Sequence, residues 1–395
     1  MSKFSWINRL FSRCFLRKKQ QNNKFKPVQK LEDRIVPALA VGDFNGDRIL
    51  DFAISTPQST VQLFSGSSGL AFAEFASFSD WQGAKVNLAA GDFNGDGADD
   101  LVIGAGNGGS PRVRILDGQS GHPLFDQILF EPTFRGGVYV ASGDATGDGK
   151  AELFVGAGMG GGPRVQVRDI ANHSVLQDFF AYESTFRGGV QIRAGDANGD
   201  GRSDAVTGAG DGGGPRVFAF DGTTGATIRN QFVGDPSLRN GIIIGAADID
   251  GNERVNTVAL AENQLRVFAG INPDPFVAFT QLGSVSIHSG DLNGDGFDEL
   301  LLDDGQAIRG YDGTTLTSNG FVWTPTSTGA FAKPLPTPKT TVYQGEAIRI
   351  PGVTGEETTI QIERLRQYTR ESNEIGLFLV DSTCPFSRIQ VPMLR

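Results

Sequence analysis

The stretch 195-GDANGDGRSD-204 decides the fold, because it is one copy of a repeated loop. Within it, Asp196, Asn198, Asp200 and Asp204 occupy positions 1, 3, 5 and 9 of a segment that begins at Asp196. Oxygen-bearing side chains at this spacing are typical of a loop that binds a hard cation such as calcium. A single copy would be equally compatible with a polar turn in which the side chains accept backbone amides.

The loop occurs six times in the chain. The copies, numbered here as loops 1 to 6, begin at Asp43, Asp92, Asp144, Asp196, Asp248 and Asp291. Successive copies are separated by 49, 52, 52, 52 and 43 residues, and three identical intervals indicate a repeat architecture rather than chance turns.

Each repeat also contains four short apolar segments. In the third unit these are 137-GVYVASG-143, 151-AELFVGAG-158, 163-PRVQVRD-169 and 174-SVLQDFFAY-182. They read as strands bounded by Gly-rich or Asp-Gly turns. Four strands in each of six units predict an all-β β-propeller of six four-stranded blades. A seventh blade built from degenerate C-terminal sequence and a parallel β-helix remain alternatives.

Composition supports many tight turns and a large core. The 395 residues include 54 glycines and 29 phenylalanines, and no apolar run reaches the ~18 residues that span a membrane. The two cysteines, Cys14 and Cys384, do not indicate a disulfide framework. The net charge of −10 combines +8 in residues 1–34 with −18 in the rest. This acidic body argues against nucleic acid as a partner.

The "GDxNGDGxxDLxxGAG" units resemble the FG-GAP or VCBS-type repeats of integrin alpha-subunit propellers and of many bacterial surface proteins. The resemblance covers residues 36–324 and implies an extracellular calcium-binding propeller. Such propellers serve in adhesion, in ligand binding and as accessories to enzymes, so the resemblance specifies the fold more closely than the function.

The side chains at positions 1, 3, 5 and 9 are the candidate calcium ligands, because a glycine at position 6 allows the turn that brings their oxygens together. They are Asp43, Asn45, Asp47, Asp51, Asp92, Asn94, Asp96, Asp100, Asp144, Thr146, Asp148, Glu152, Asp196, Asn198, Asp200, Asp204, Asp248, Asp250, Asn252, Asn256, Asp291, Asn293, Asp295 and Glu299. Crowded carboxylates repel one another unless a cation neutralises them. We expect up to six structural calcium ions, four of them in strong sites.

The six loops are not equivalent. Loops 2 and 4 are complete, and loop 6 differs only in closing with Glu299. Loop 3 has the weaker ligand Thr146 at position 3, and loop 1 has Arg48 where glycine is expected. Loop 5 has Glu253 at position 6 and the neutral Asn256 at position 9. Of the six loops, loop 5 is therefore the least suited to hold calcium, and the sequence leaves the occupancy of loops 1 and 5 open.

Repeated arginines form a second pattern. Arg112, Arg164 and Arg216 follow a proline, whereas Arg135 and Arg187 lie in "FRGG" segments. One interpretation is packing and pairing with nearby carboxylates, and the other is an anion-binding face. The preceding "GAGxGGxPR" segments lack the G-K-[ST] ending of a phosphate loop, which favours a glycine-rich bend between strands.

No catalytic constellation is evident. The three histidines, His122, His173 and His288, occur at different phases of the repeat, and neither a G-x-S-x-G nor an H-E-x-x-H motif is present. We therefore expect a binding or adhesion module for an extracellular protein or polysaccharide, not an enzyme. The alternative is an accessory or catalytic domain of an extracellular hydrolase or polysaccharide lyase.

The two ends of the chain differ from the repeats. Residues 1–35 form a basic arm that suits an atypical export segment or contact with a membrane surface. Within it, 28-VQKLEDRIVPA-38 resembles a segment near the start of many surface and secreted proteins of planctomycete bacteria, which favours an extracellular or cell-surface location. Residues 325–340 read as a proline-rich linker, and residues 341–395 as a small β-rich or truncated module.

Overall fold

The computed structural model describes most of the repeat region and part of the C-terminal segment. The described residues are 38–78, 85–252, 254–268, 275, 277–280, 285–304, 307–313, 315–316, 318–323, 341–343, 365–369, 375–381 and 384–390. The predicted arm at residues 1–35 and the predicted linker at residues 325–340 lie outside the described residues. Within it the secondary structure is entirely β, so no described helix could cross a membrane.

Six antiparallel sheets of four strands form the blades. Blades 1 and 2 contain β1 (Leu39–Gly42), β2 (Asp51–Ser55), β3 (Thr60–Phe64), β4 (Ala71–Ala76), β5 (Val86–Gly91), β6 (Asp100–Ala105), β7 (Arg112–Leu116) and β8 (Pro123–Ile128). Blades 3 and 4 contain β9 (Val138–Gly143), β10 (Glu152–Ala157), β11 (Arg164–Asp169), β12 (Ser174–Phe180), β13 (Val190–Gly195), β14 (Asp204–Ala209), β15 (Arg216–Phe220) and β16 (Thr227–Phe232).

The last two blades and a further sheet complete the described strands. Blades 5 and 6 contain β17 (Ile243–Ala247), β18 (Asn256–Ala261), β19 (Gln264–Phe268), β20 (Val277–Thr280), β21 (Ser286–Gly290), β22 (Glu299–Asp303), β23 (Ile308–Tyr311) and β24 (Ser318–Trp323). The C-terminal segment forms its own four-stranded sheet from β25 (Thr341–Tyr343), β26 (Leu365–Thr369), β27 (Ile375–Asp381) and β28 (Cys384–Gln390).

The first strands of the blades close a ring. Each contacts the first strand of the next blade, and β21 of blade 6 contacts β1 of blade 1. The hydrophobic core closes at the same place, because Leu301 of blade 6 packs in one cluster with Leu39 and Phe52 of blade 1. The propeller therefore has six blades, as the repeat count predicted, and the alternative of a seventh blade is wrong.

Burial changes systematically from the second strand to the fourth. Strands β6, β10, β14 and β18 are buried along their whole length, since adjacent blades cover both of their faces. The fourth strands lie at the outer edge and expose apolar side chains such as Phe180 and Phe232. A single blade could not bury both faces of its second strand, which explains why the repeats must assemble into a ring.

The antiparallel strand order separates the loops into two groups. Connections from first to second and from third to fourth strands lie at one end of the blades, which we call the acidic end because it carries loops 1 to 6. Connections from second to third strands and from one blade to the next lie at the opposite end. We call that the arginine end, because it carries Arg135 and Arg187.

The glycine-rich segments at the arginine end are bends, as predicted. The connection from blade 2 to blade 3 packs Phe134 against the bend between β10 and β11, and a Cβ on Gly161 would lie 2.9 Å from the Phe134 ring. A Cβ on Gly158 would lie 1.9 Å from the carbonyl oxygen of Gly136. Glycine is required here by the close approach of two backbones, not by a bound phosphate.

This close approach predicts that Gly158→Ala destabilises the protein by about 1–3 kcal/mol, because the added methyl group overpacks a backbone contact. Gly162→Ala in the same bend is the matched control, since its Cβ would meet the Phe180 ring at an ordinary 3.6 Å. Urea denaturation of both variants measures the difference. Equal stabilities for the two variants would contradict the packing described here.

Candidate metal centres

The six acidic loops connect the first and second strands of their blades and are built on one pattern. In loop 4, the Asp196 carboxylate accepts the amide of Gly201 at 2.8 Å and that of Asp200 at 3.3 Å. Asn198 Oδ1 then accepts the Asp200 amide at 2.8 Å, and Asp200 Oδ1 accepts the Arg202 amide at 2.9 Å. The side chains at positions 1, 3 and 5 are therefore held in fixed orientations by the backbone of their own loop.

The other loops repeat these bonds. The position-1 carboxylate accepts the position-6 amide at 2.6–2.9 Å in loops 1, 2, 3 and 6. In loop 5, whose position 6 lies outside the described residues, Asp248 accepts the amide of Asn252 at 3.1 Å. These are the hydrogen bonds of an Asx turn, but each carboxylate oxygen has two lone pairs, so accepting one amide leaves capacity for a cation.

Position 9 is the first residue of the second strand and is buried in every blade. The six side chains are at most 2 % exposed, and they are Asp51, Asp100, Glu152, Asp204, Asn256 and Glu299. In loops 2 to 6 this side chain accepts the position-2 amide at 2.7–3.0 Å. The position-2 side chain is itself buried and apolar, from Phe44 in loop 1 to Leu292 in loop 6.

The buried aspartates also hold a second connection. Asp51, Asp100 and Asp204 each accept the amide of the glycine that follows the third strand, at 3.0–3.2 Å. These carboxylates thus join the acidic loop to the turn between the third and fourth strands. In blades 3 and 6 the longer Glu152 and Glu299 occupy position 9 and bond within the acidic loop.

Burial makes these acids hard to ionise. Desolvation, with added repulsion from the other loop carboxylates, raises the pKa of Asp51, Asp100 and Glu152 to about 7. The same causes raise the pKa of Asp204 to about 6 and that of Glu299 to about 8. A cation in the loop would favour the ionised form of these groups and remove the cost of burying them.

The donor set fits a hard divalent cation. Each loop combines carboxylate oxygens with amide oxygens or, in loop 3, with the Thr146 hydroxyl, and the buried Oδ2 of Asp51 has no hydrogen-bond partner. Across the described part of the chain, however, no three carboxylate, imidazole or thiolate side chains are gathered into a metal-binding group. The loops bring the predicted ligands into one segment and orient them, without closing a complete cage of side chains.

Loop 5 differs at its closing residue. Asn256 Oδ1 accepts the Ile249 amide, as the acids do elsewhere, but its Nδ2 donates to Asp250 Oδ2 at 3.3 Å. The same kind of bond between positions 3 and 9 occurs in loops 1 and 6, where Asn45 Nδ2 donates to Asp51 Oδ1 and Asn293 Nδ2 donates to Glu299 Oε1. What distinguishes loop 5 is its neutral closing residue, and its lack of calcium remains a prediction.

Acids at position 8 were missed from the sequence. Asp99 Oδ2 accepts the backbone amide of Asp43, and Asp298 Oδ2 accepts that of Asp248, each at 2.8 Å. The position-8 amide in turn donates to the position-1 carbonyl oxygen of the preceding loop at 2.7–2.8 Å at five of the blade junctions. The consecutive acids in "ADD" and "FDE" were the available signal.

The arginines divide into two groups. Arg112 and Arg164 pair with Asp126 and Asp178 at 2.6 Å, and Arg216 pairs with Glu183 at 2.9 Å. For this group the interpretation as packing and pairing is confirmed. Arg216 also lies over the Phe218 ring, 4.5 Å from its centroid.

Arg135 and Arg187 instead donate to backbone. Each sends Nη1 to two carbonyl oxygens of its own connection, at 2.5–2.8 Å. Arg239 makes the same two bonds in the next blade. It was not predicted as an equivalent because its segment reads "LRNG" and not "FRGG". All three side chains are exposed, and in the described structure no carboxylate pairs with them.

The histidines are dispersed over three blades. His122 and His173 lie in the turns between third and fourth strands of blades 2 and 3, whereas His288 lies on β21 of blade 6. His288 bonds Ser286 Oγ at 3.1 Å. Among the described residues, none of the three belongs to a group of side chains that could hold a metal ion.

Comparison with known proteins supports the repeat assignment. A family model described as FG-GAP-like repeat matches residues 43–103 and 92–155. The fold is thus a six-bladed β-propeller, and the matched residues are FG-GAP-like repeats within this propeller. The sequence matches no curated protein.

Several solved structures are similar at low identity. A structure of an Agrocybe aegerita lectin that recognises non-reducing terminal N-acetylglucosamine is 15 % identical with a TM-score of 0.45, covering 75 % of this chain and 82 % of the lectin. The structure of rhamnogalacturonan lyase YesW is 13 % identical with a TM-score of 0.39, covering 75 % of this chain and 67 % of the lyase. The structure of BBS1N in complex with ARL6DN is 11 % identical with a TM-score of 0.48, covering 91 % of this chain and 96 % of that chain.

The position-6 residue predicts a stability difference between loops. Arg48 has φ of +66°, in the left-handed region that Gly149 occupies in loop 3 at +85°. Arg48→Gly should therefore stabilise the protein by about 1 kcal/mol, because the left-handed conformation strains a residue with a Cβ. Gly149→Ala should destabilise it by a similar amount without a steric clash, since no atom lies within 4 Å of the added methyl group. Thermal melts of both variants with chelator measure the effect; a destabilised Arg48→Gly would contradict it.

Proposed function

We propose that this protein is a calcium-stabilised β-propeller that serves outside the cell as a ligand-binding module. The observation that carries the calcium proposal is the buried acid at position 9, which closes five of the six loops. Burial raises the pKa of such an acid, and a positive charge beside it would favour its ionised form near neutral pH. The loop oxygens at positions 1, 3 and 5 would hold that charge, and loop 5 would remain without it.

The extracellular location that we propose is supported by the calcium affinity expected of such loops. Calcium sites in extracellular modules have dissociation constants of about 10⁻⁴–10⁻³ M, so they fill outside the cell and remain largely empty in a cytosol. Calcium in this role adds stability to the blade and takes no part in chemistry. The dispersed histidines and the amide-bound loop carboxylates favour a binding role over catalysis, so the hydrolase or lyase alternative has no specific support.

The binding surface we propose is the arginine end. Arg135, Arg187 and Arg239 occur at the same place in blades 2, 3 and 4 and are held by two carbonyl oxygens each. The nearest repeated acids are committed elsewhere, since Glu131 and Glu183 pair with Arg164 and Arg216. One exposed guanidinium per blade suits a ligand with carboxylates at regular intervals. We therefore propose an acidic polysaccharide as the partner.

The calcium proposal predicts a higher melting temperature in calcium than in chelator. Each site adds about 1.4 kcal/mol when free calcium is ten times its dissociation constant, which amounts to several degrees for three or more sites. Isothermal titration should show that Asp196→Asn loses one calcium ion, whereas the same substitution in loop 5, Asp248→Asn, loses none. An unchanged melting temperature in chelator would reject the proposal.

The ligand proposal predicts that replacing Arg135, Arg187 and Arg239 together by Gln weakens binding to polygalacturonate at least tenfold at low salt, because three carboxylate contacts are removed. The control replaces Lys150, Arg202 and Arg254 by Gln, which removes the same charge at position 7 of loops 3 to 5, at the acidic end. Affinity electrophoresis measures both. Equal weakening would indicate a response to net charge alone and would contradict a defined face.

A further inference from the structure

The first strands of the six blades line a cavity of about 180 Å³ at the axis of the ring, and this cavity is open to solvent. The residue three positions before each acidic loop faces this region, and in blades 1 to 6 it is Ala40, Ala89, Ala141, Arg193, Gly245 and His288. All of these except Gly245 line the cavity. Four blades thus have a residue no larger than alanine, while blades 4 and 6 introduce a cation and an imidazole.

The Arg193 side chain extends between two blades that are not neighbours in the ring. Its Nη1 donates to the carbonyl oxygen of Ile192 at 2.9 Å, and its Nη2 donates to that of Ile287, in blade 6, at 3.3 Å. A guanidinium group has five N–H donors, so about three remain after these two bonds. Because Arg193 lines the cavity, a ligand there would meet these donors.

No carboxylate of the described residues pairs with the Arg193 guanidinium. No carboxylate occurs among the described residues that line the cavity, although the protein as a whole carries a net charge of −10. Burial lowers the pKa of Arg193 only to about 10, so the group remains cationic at neutral pH. A partly buried guanidinium whose described partners are two carbonyl oxygens would be stabilised by an anion beside it.

His288 contributes a polar but neutral neighbour. Burial and the nearby Arg193 charge lower the pKa of the His288 imidazole to about 3, so the ring is uncharged at neutral pH. It adds hydrogen-bonding capacity without a second positive charge. The remaining wall consists of apolar residues and of Ser142 and Ser289, whose hydroxyls donate to the carbonyl oxygens of Ala90 and Ala246.

We propose that the axial cavity is a binding site for a small carboxylate anion, held by the Arg193 guanidinium. The fork of a guanidinium matches the two oxygens of a carboxylate. A volume of about 180 Å³ exceeds the ~10–15 Å³ needed by one water but is below the ~300 Å³ at which drug-sized ligand pockets begin. The site is independent of the acidic loops and of the arginine end.

Crystals of the full chain soaked in bromide locate the site by anomalous scattering, and a second soak adds an excess of formate. We expect a bromide peak beside Arg193 in the first soak and its loss in the second. The absence of a peak at Arg193 would overturn the site. A peak that persists in formate would overturn the carboxylate assignment in favour of a halide site.

A solution measurement uses Arg193→Met, which keeps the length of the side chain and removes its charge. Formate should raise the melting temperature of the wild-type protein by about 2 °C or more relative to a bulky sulfonate at equal ionic strength. The variant should show no such rise, whatever its own melting temperature. An equal rise in both proteins would contradict the role of Arg193. If the variant does not fold, the bromide soak of the wild-type protein decides the question. Calcium-dependent stability should be unchanged in either outcome, so failure here leaves the calcium proposal intact.

Discussion

A buried oxygen at the start of the second strand is the constraint on which each blade depends. In loops 2 to 6 it accepts the position-2 amide, and in blades 1, 2 and 4 it also accepts the glycine amide after the third strand. It thereby fixes two connections to the most buried strand of the sheet. Five of these side chains are acids whose pKa is raised by burial, so a cation beside them would favour their ionised form.

The same loops connect one blade to the next. At five junctions the position-8 amide donates to the preceding position-1 carbonyl oxygen, so the acidic end forms a continuous chain of loops. A cation that orders one loop would therefore also support its neighbour. The opposite end has a different design, in which glycine bends and short connections present Arg135, Arg187 and Arg239. The acidic loops thus lie at one end of the blades, and three exposed arginines lie at the other.

The repeated features could be predicted from sequence, and the unrepeated ones could not. Constant spacing identified the blades, the acidic loops and Arg112 with its equivalents, because every copy confirms the others. Asp99 and Asp298 occur in only two loops, and their partners are backbone amides about 50 residues away in the preceding blade. Arg193 and His288 differ from the alanines at equivalent positions, but only closure of the ring brings them together. Arg239 was not recognised as the equivalent of Arg135 and Arg187 because two of its neighbours differ, Leu238 and Asn240.

The most direct measurement of the central claim is a crystal structure in millimolar calcium, with anomalous data collected at a wavelength where calcium scatters strongly. The account predicts peaks among the position 1, 3, 5 and 9 oxygens of loops 2, 4 and 6, and none in loop 5, where Asn256 replaces the acid. The account would be contradicted if loops 2, 4 and 6 showed no calcium peaks and their buried acids were paired only with backbone amides.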